Sequence, residues 1–126
     1  MNLTTIILAV LALAMAQIFL QETSRYGFDL RAIVGNRDNP PDMSIVAGRL
    51  DRAKNNMLEA LPFFLGLALL ALAKGVETRQ VVYGAATFLI ARIAYVPAYV
   101  SGVPLLRSAV WLVANAGLLA MAVGVV

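Results

Sequence analysis

Arg52, Asn56 and Glu59 stand at i, i+4 and i+7, with Phe63 at i+11, so a helix through them carries all four on one face. They lie in a stretch, residues 49–64, that begins among charges and runs directly into the apolar segment 65–73. Arg92, Tyr95 and Tyr99 fall at i, i+3 and i+7, again on one face, and Arg107 with Ser108 opens the last apolar segment. Three arginines, a carboxylate, an amide and two phenols suit a small, flexible ligand that carries both carboxylates and an amine. A guanidinium pairs with a carboxylate through two parallel hydrogen bonds, Glu59 takes an ammonium, and the tyrosine hydroxyls hold a peptide group or a thiol. The chain has no cysteine and no histidine, which excludes disulfides, thiol catalysis and the usual soft-metal sites. Its seven carboxylates are scattered, and no two form a plausible metal cage. If there is chemistry, the nucleophile arrives with a cofactor and an arginine stabilises its anionic form.

The elements that must position these groups are membrane helices. Of the 126 residues 61% are hydrophobic and 13% charged, with a mean hydropathy of +0.82, against about 45–50% and 25% in soluble domains. The expectation is a single domain, an all-α integral membrane protein folded as a four-transmembrane-helix bundle. The expected spans are about 3–22, 52–74, 80–100 and 105–126. Residues 3–20 are uncharged and close to the ~20 residues a spanning helix needs. Ala14-Met15-Ala16 resembles a leader cleavage site, but no Lys or Arg precedes Arg25 and the apolar run continues to Leu20, which predicts a transmembrane helix. Residues 21–51 read as a mostly ordered polar loop. Gly35–Asp42 is dense in turn formers, and the paired Pro40 and Pro41 cannot continue a helix.

The second span is anomalous. Its uncharged part, Ala60–Ala73, has 14 residues, about 21 Å of helix, too short for a ~30 Å hydrocarbon core. It reaches across only by starting near Arg52, which carries Asn56 and Glu59 to membrane depth. An ionised carboxylate there costs at least about 2.5–3.5 kcal/mol unless it is paired or faces protein or water, and Arg52 and Asn56 are placed to occupy it. The plainer alternative is a Glu59 that snorkels at the interface. Pro62 frees the Leu58 carbonyl, and Pro97 frees that of Ile93 and predicts a kink. For Tyr95 and Tyr99 the plainer alternative is an interfacial aromatic belt, weakened by the arginine on their face. The short connections at 74–79 and 101–104 make successive helices antiparallel neighbours, and the glycines and alanines suit close packing in lipid.

Six of the ten basic residues (Arg25, Arg31, Arg37, Arg49, Arg52 and Lys54) lie between the first two apolar runs. Asp29, Asp38, Asp42 and Asp51 are interleaved with them, so the cluster reads as a topology signal and not as a nucleic-acid surface. The positive-inside rule puts the first and third connections in the cytoplasm and both termini outside. The three polar sets then meet at one membrane face.

At these residues a resemblance becomes specific. Arg52-Ala53-x-x-Asn56-x-x-Glu59-x-x-Pro62-x-Phe64 resembles the signature of the MAPEG family, the membrane-associated proteins in eicosanoid and glutathione metabolism. Arg92-x-x-Tyr95-x-x-x-Tyr99, followed by Arg107-Ser108, resembles the family's second cluster, and size and helix pattern extend the likeness over essentially the whole chain. The resemblance implies a homotrimer with glutathione bound in cytoplasm-facing crevices between subunits. Arg52, Asn56, Glu59, Tyr95 and Tyr99 would hold it, Arg92 would support them, and Arg31 would add a contact from the end of the first helix. Arg107 would stabilise the glutathione thiolate. Tyr95 agrees with leukotriene-synthase-type members where prostaglandin-synthase-type members have His. Ala60 replaces a Tyr of the former type, Trp111 stands where some members have Tyr, and the turn from Tyr99 to Arg107 is shorter than in the animal enzymes. The likeness is to a bacterial-type member, implying an inner-membrane protein with both termini periplasmic, and the eicosanoid substrates do not carry over.

The leading expectation is a glutathione-dependent transferase or peroxidase acting on lipophilic small molecules that enter from the membrane lipids. The first alternative is a non-catalytic membrane subunit that keeps the fold and supports a larger assembly. The second is a small multidrug exporter in which Glu59 couples protons to cations.

Overall fold

The computed structural model describes residues 1–27, 29, 31, 34–35 and 42–126. Four helices account for nearly all of them: α1 (Leu3–Arg25), α2 (Ile45–Lys74), α3 (Arg79–Ser101) and α4 (Pro104–Val125). Each is long and apolar enough to cross a membrane, and no strand occurs among the described residues. The chain is therefore an all-α, four-helix integral membrane bundle. The four-residue α2–α3 connection and the two-residue α3–α4 connection force antiparallel neighbours. Leu3 lies against Glu77 and Gln21 against Lys54, which makes α1 and α2 antiparallel as well. The α1 C-terminus, α2 N-terminus, α3 C-terminus and α4 N-terminus thus share one end.

Two boundaries differ from expectation, and α1 running on to Arg25, into the start of the expected loop, is the smaller change. The second helix begins at Ile45, seven residues before Arg52, so the end of the expected 21–51 loop is helical. Ser44 caps it by accepting the Ala47 N–H at 3.1 Å, and Ala47, Leu50, Ala53 and Met57 bury one stripe from the first turn onward. Thirty residues make about 45 Å of helix, longer than the hydrocarbon core, so its charged first turns project beyond the apolar zone. Of the predicted turn at Gly35–Asp42, residues 36–41 lie outside the described residues. Both α2 and α3 run on through Pro62 and Pro97.

The core is a column of small and aromatic side chains. Phe64 and Phe88 stack at 4.7 Å between α2 and α3, with Leu3, Ile6 and Val10 of α1 closing one side. The tightest approach joins α3 to α4. A Cβ on Gly117 would stand 2.6 Å from the Gly84 carbonyl oxygen, and one on Gly84 would stand 2.7 Å from that of Gly117. Only glycine admits such backbone contact. Every buried residue of α4 (Ala114, Gly117, Met121, Val125) lies from Ala114 onward, while Leu8, Phe19, Leu105, Leu112 and Leu119 turn outward, where lipid would cover them.

Candidate functional site

The arginine-rich end brings together the predicted residues of three helices. From α2, Asn56 accepts a 2.8 Å hydrogen bond from Arg92 Nη1 of α3. The Arg92 guanidinium lies 4.4 Å from the centroid of the Tyr95 ring, one turn further along its own helix. Arg92 is 1% exposed and Tyr95 3%, so the pair is interior, and Tyr95 is not part of an aromatic belt. Burial at this depth leaves Arg92 Nε and Nη2 without a hydrogen-bond partner, a costly state for a cation.

Tyr99 stacks edge-on against Tyr95 at 5.5 Å and is the meeting point of two further arginines. Arg52 of α2 has its Cζ 5.8 Å from the Tyr99 centroid, and Arg107 of α4 has its Cζ 5.1 Å from the same ring. No hydrogen bond or ion pair engages either guanidinium among the described residues; the ring quadrupole is their shared neighbour. Arg52, Asn56, Tyr95, Tyr99, Arg107, Ser108 and Trp111 enclose a polar pocket of about 330 Å³. No carboxylate lines it.

A second cavity, of about 500 Å³, continues along α2, α3 and α4. Asn56 and Trp111 line both cavities, so the polar pocket opens onto an apolar groove bounded by Phe63, Leu67, Phe88 and Leu118. Glu59 lines this groove with Arg92. Glu59 is exposed and has no ion pair among the described residues. The expectation that Arg52 and Asn56 occupy it is corrected here: Asn56 is engaged by Arg92, and Arg52 lies over Tyr99. Arg31 stands six residues beyond the end of α1, exposed, its N–H donating to Asp29 Oδ1 at 3.1 Å; it does not line either cavity.

A model of the MAPEG family matches residues 1–126, the whole chain. The chain belongs to the MAPEG family. MAPEG members include glutathione-dependent transferases and peroxidases, and also proteins without catalytic activity. Membership displaces the exporter reading, in which a lone Glu59 would run a proton cycle. Among curated proteins no match to the chain is found.

Two residues that sequence reasoning passed over lie close to these cavities. Asn115 lines the apolar groove, its Nδ2 donating to the Trp111 carbonyl at 2.9 Å; its spacing of eight residues from Arg107 was the available signal. Arg49 precedes Arg52 by one turn and donates from Nη1 to the Val100 carbonyl at 2.8 Å. No motif announces that contact, because its partner is a main-chain oxygen on another helix.

Among the described residues no cluster of three metal-ligating side chains occurs. The donor set instead fits glutathione. Arg52 and Arg107 are cations without anionic partners, Arg92 has buried donors unused, and Glu59 is an anion without a cation. A tripeptide bearing two carboxylates, one ammonium and an ionisable thiol complements each of these.

Proposed function

We propose that this protein is a glutathione-dependent membrane enzyme, a transferase or peroxidase acting on lipophilic electrophiles. The observation that carries the reading is the convergence of the unpaired Arg52 and Arg107 guanidiniums on Tyr99, in a polar pocket that shares Asn56 and Trp111 with an apolar groove. Arg52 binds a carboxylate of the tripeptide and Glu59 its ammonium. Asn56 and the hydroxyls of Tyr95 and Tyr99 orient the peptide, and Arg92 holds Asn56 in place. Arg31 adds a contact from a neighbouring copy in a homotrimer. Arg107, which lines the polar pocket beside Trp111 where that pocket meets the groove, takes the role that the likeness to the family implies for it and favours the ionised thiol. Bound glutathione supplies the nucleophilic sulfur, whose bond to an electrophilic carbon forms as the leaving group departs. The apolar groove holds the lipophilic partner and excludes water from the reacting atoms. The orientation is the one in which the arginine-rich end faces the cytoplasm, with both termini in the periplasm of a bacterial inner membrane.

The test is equilibrium binding of glutathione to purified protein in detergent and in lipid, wild type against Arg52→Ala and Glu59→Gln. Saturable binding weakened in both variants is expected; no binding by the wild type in either medium sinks the reading. One observation favours the non-catalytic alternative: no residue of α4 before Ala114 is fully buried, Val110 alone packing partly against the core. Binding without conjugation above the level of Arg107→Ala would select it.

A further inference from the structure

The α3–α4 connection consists of Gly102 and Val103 alone. Gly102 closes α3 at φ +76°, its N–H donating to the Tyr99 carbonyl at 3.1 Å, a left-handed conformation that favours glycine. Two residues later α4 begins, without a side-chain cap and with Pro104 in its first turn. Arg107 follows at once.

Core packing near Arg107 is slight, with Val110 alone partly buried against the core before Ala114. No residue of α4 before Ala114 is buried, and Leu105 is 84% exposed. The glycine contact that locks α4 to α3 is centred on Gly117, ten residues from Arg107, or about 15 Å along the helix. A helix gripped at one end and free at the other leaves the free end's side chains loosely placed.

Arg49 supplies the missing grip. Its Nη1 donates to the Val100 carbonyl at 2.8 Å, one of the last carbonyls of α3, which lack intrahelical donors. The same guanidinium fills the space beside Gly102: a Cβ there would meet Arg49 Nη2, Cζ and Nη1 at 2.7–2.9 Å. Arg49 and the turn residues Gly102, Val103 and Pro104 line one small cavity with Arg52, Tyr99 and Arg107. So one side chain of α2 ties the turn to the helix that carries Arg52.

We propose that Arg49 is a positioning residue whose clamp on the Gly102 turn sets where Arg107 stands relative to Arg52 and the bound thiol. The proposal rests on the glutathione reading for its consequence, but not for the clamp itself. Arg49 does not line the polar pocket, so its effect runs through Arg107.

The experiment compares wild type, Arg49→Gln, Arg49→Lys and Gly102→Ala by the ultraviolet thiolate absorbance of bound glutathione and by affinity for S-methylglutathione, which has no ionisable thiol. In Arg49→Gln the thiolate-to-thiol ratio falls about tenfold at fixed pH, equivalent to a one-unit rise in the thiol's pKa, while S-methylglutathione affinity stays unchanged. Arg49→Lys keeps one donor for the Val100 carbonyl and recovers most of the loss. Gly102→Ala reproduces the loss with Arg49 present, since its methyl displaces the guanidinium; it also covers the case in which Arg49→Gln does not fold. In an Arg107→Ala background the Arg49→Gln effect disappears. An unaltered thiolate ratio in Arg49→Gln overturns the proposal, as does an equal loss of affinity for both ligands. If the wild type binds neither ligand, the glutathione reading falls and the clamp is decided separately. Trp111 is the only tryptophan and lies one turn beyond Arg107. Its fluorescence anisotropy then drops in Arg49→Gln and Gly102→Ala if the clamp is real, and stays at the wild-type value if it is not.

Discussion

The two ends of the bundle treat their charges in different ways. At the end away from the site, Glu77 and Lys74 are each matched to a helix terminus of the opposite polarity. The Glu77 carboxylate accepts the Leu3 N–H at 2.7 Å at the start of α1, and Lys74 Nζ donates to the Val125 carbonyl at 2.8 Å at the end of α4. Those are the favourable placements against the helix dipole, and Gln80 adds a 3.1 Å bond to the Ala120 carbonyl. At the arginine-rich end Arg49 is used in this way, and Arg25 stands in the last turn of α1. Arg52 and Arg107 are held against the Tyr99 ring without a carboxylate, and Arg92 is buried with donors to spare. One end closes the bundle with its charges; the other leaves two guanidiniums without an anionic partner among the described residues.

If that contrast is right, substitutions at the two ends separate stability from binding. The largest effect falls on Arg107. Arg107→Ala lowers conjugation of a lipophilic electrophile by about 10²–10³-fold, the usual loss when one donor to a developing anion is removed. Its thermal stability stays near wild type, because the guanidinium contacts only a half-buried ring. Steady-state turnover beside a melting curve checks both, and a large fall in melting temperature would put Arg107 among the structural charges.

Next comes Arg52→Ala, which removes the charged donor proposed for the ligand's carboxylate. An affinity loss of about 10–100-fold follows from the ~1.5–3 kcal/mol typical of hydrogen bonds to charged groups, read by calorimetric titration with glutathione. Glu59→Gln is milder, about tenfold, since the amide oxygen still accepts from the ammonium. A neutral result at Glu59 would mean that its carboxylate faces lipid headgroups and not the ligand.

The four spans and their antiparallel order were legible because uncharged runs of the right length have few alternatives in a bilayer. The early start of α2 was less so, because Arg49, Asp51 and Arg52 hide a buried stripe at Ala47, Leu50, Ala53 and Met57 that periodicity alone could reveal. The site's two polar faces were legible from spacing, and the short connections implied that they meet. What spacing on one helix does not disclose is which neighbouring helix claims a side chain. Asn56 sits one turn from Glu59, yet its acceptor goes to Arg92 across the interface. Arg49 looked like one more interfacial cation, because its partner is a carbonyl 51 residues away in the chain.

The smallest effect tests the opposite end. Glu77→Gln keeps an acceptor for the Leu3 N–H but removes the negative charge beside the α1 N-terminus. The interaction of a charge with a helix end is worth about 0.3–1 kcal/mol, so the melting temperature falls by only a few degrees. Glutathione affinity and turnover stay at wild-type values, because Glu77 is a full bundle length from Tyr99. Lys74→Met repeats the pattern at the α4 C-terminus, with one difference. That helix also carries Arg107, so a loss of turnover in Lys74→Met without one in Glu77→Gln would show that the two ends communicate along α4. Turnover preserved in both would confine the site's geometry to the residues at its own end, where Arg49 and Tyr99 hold it.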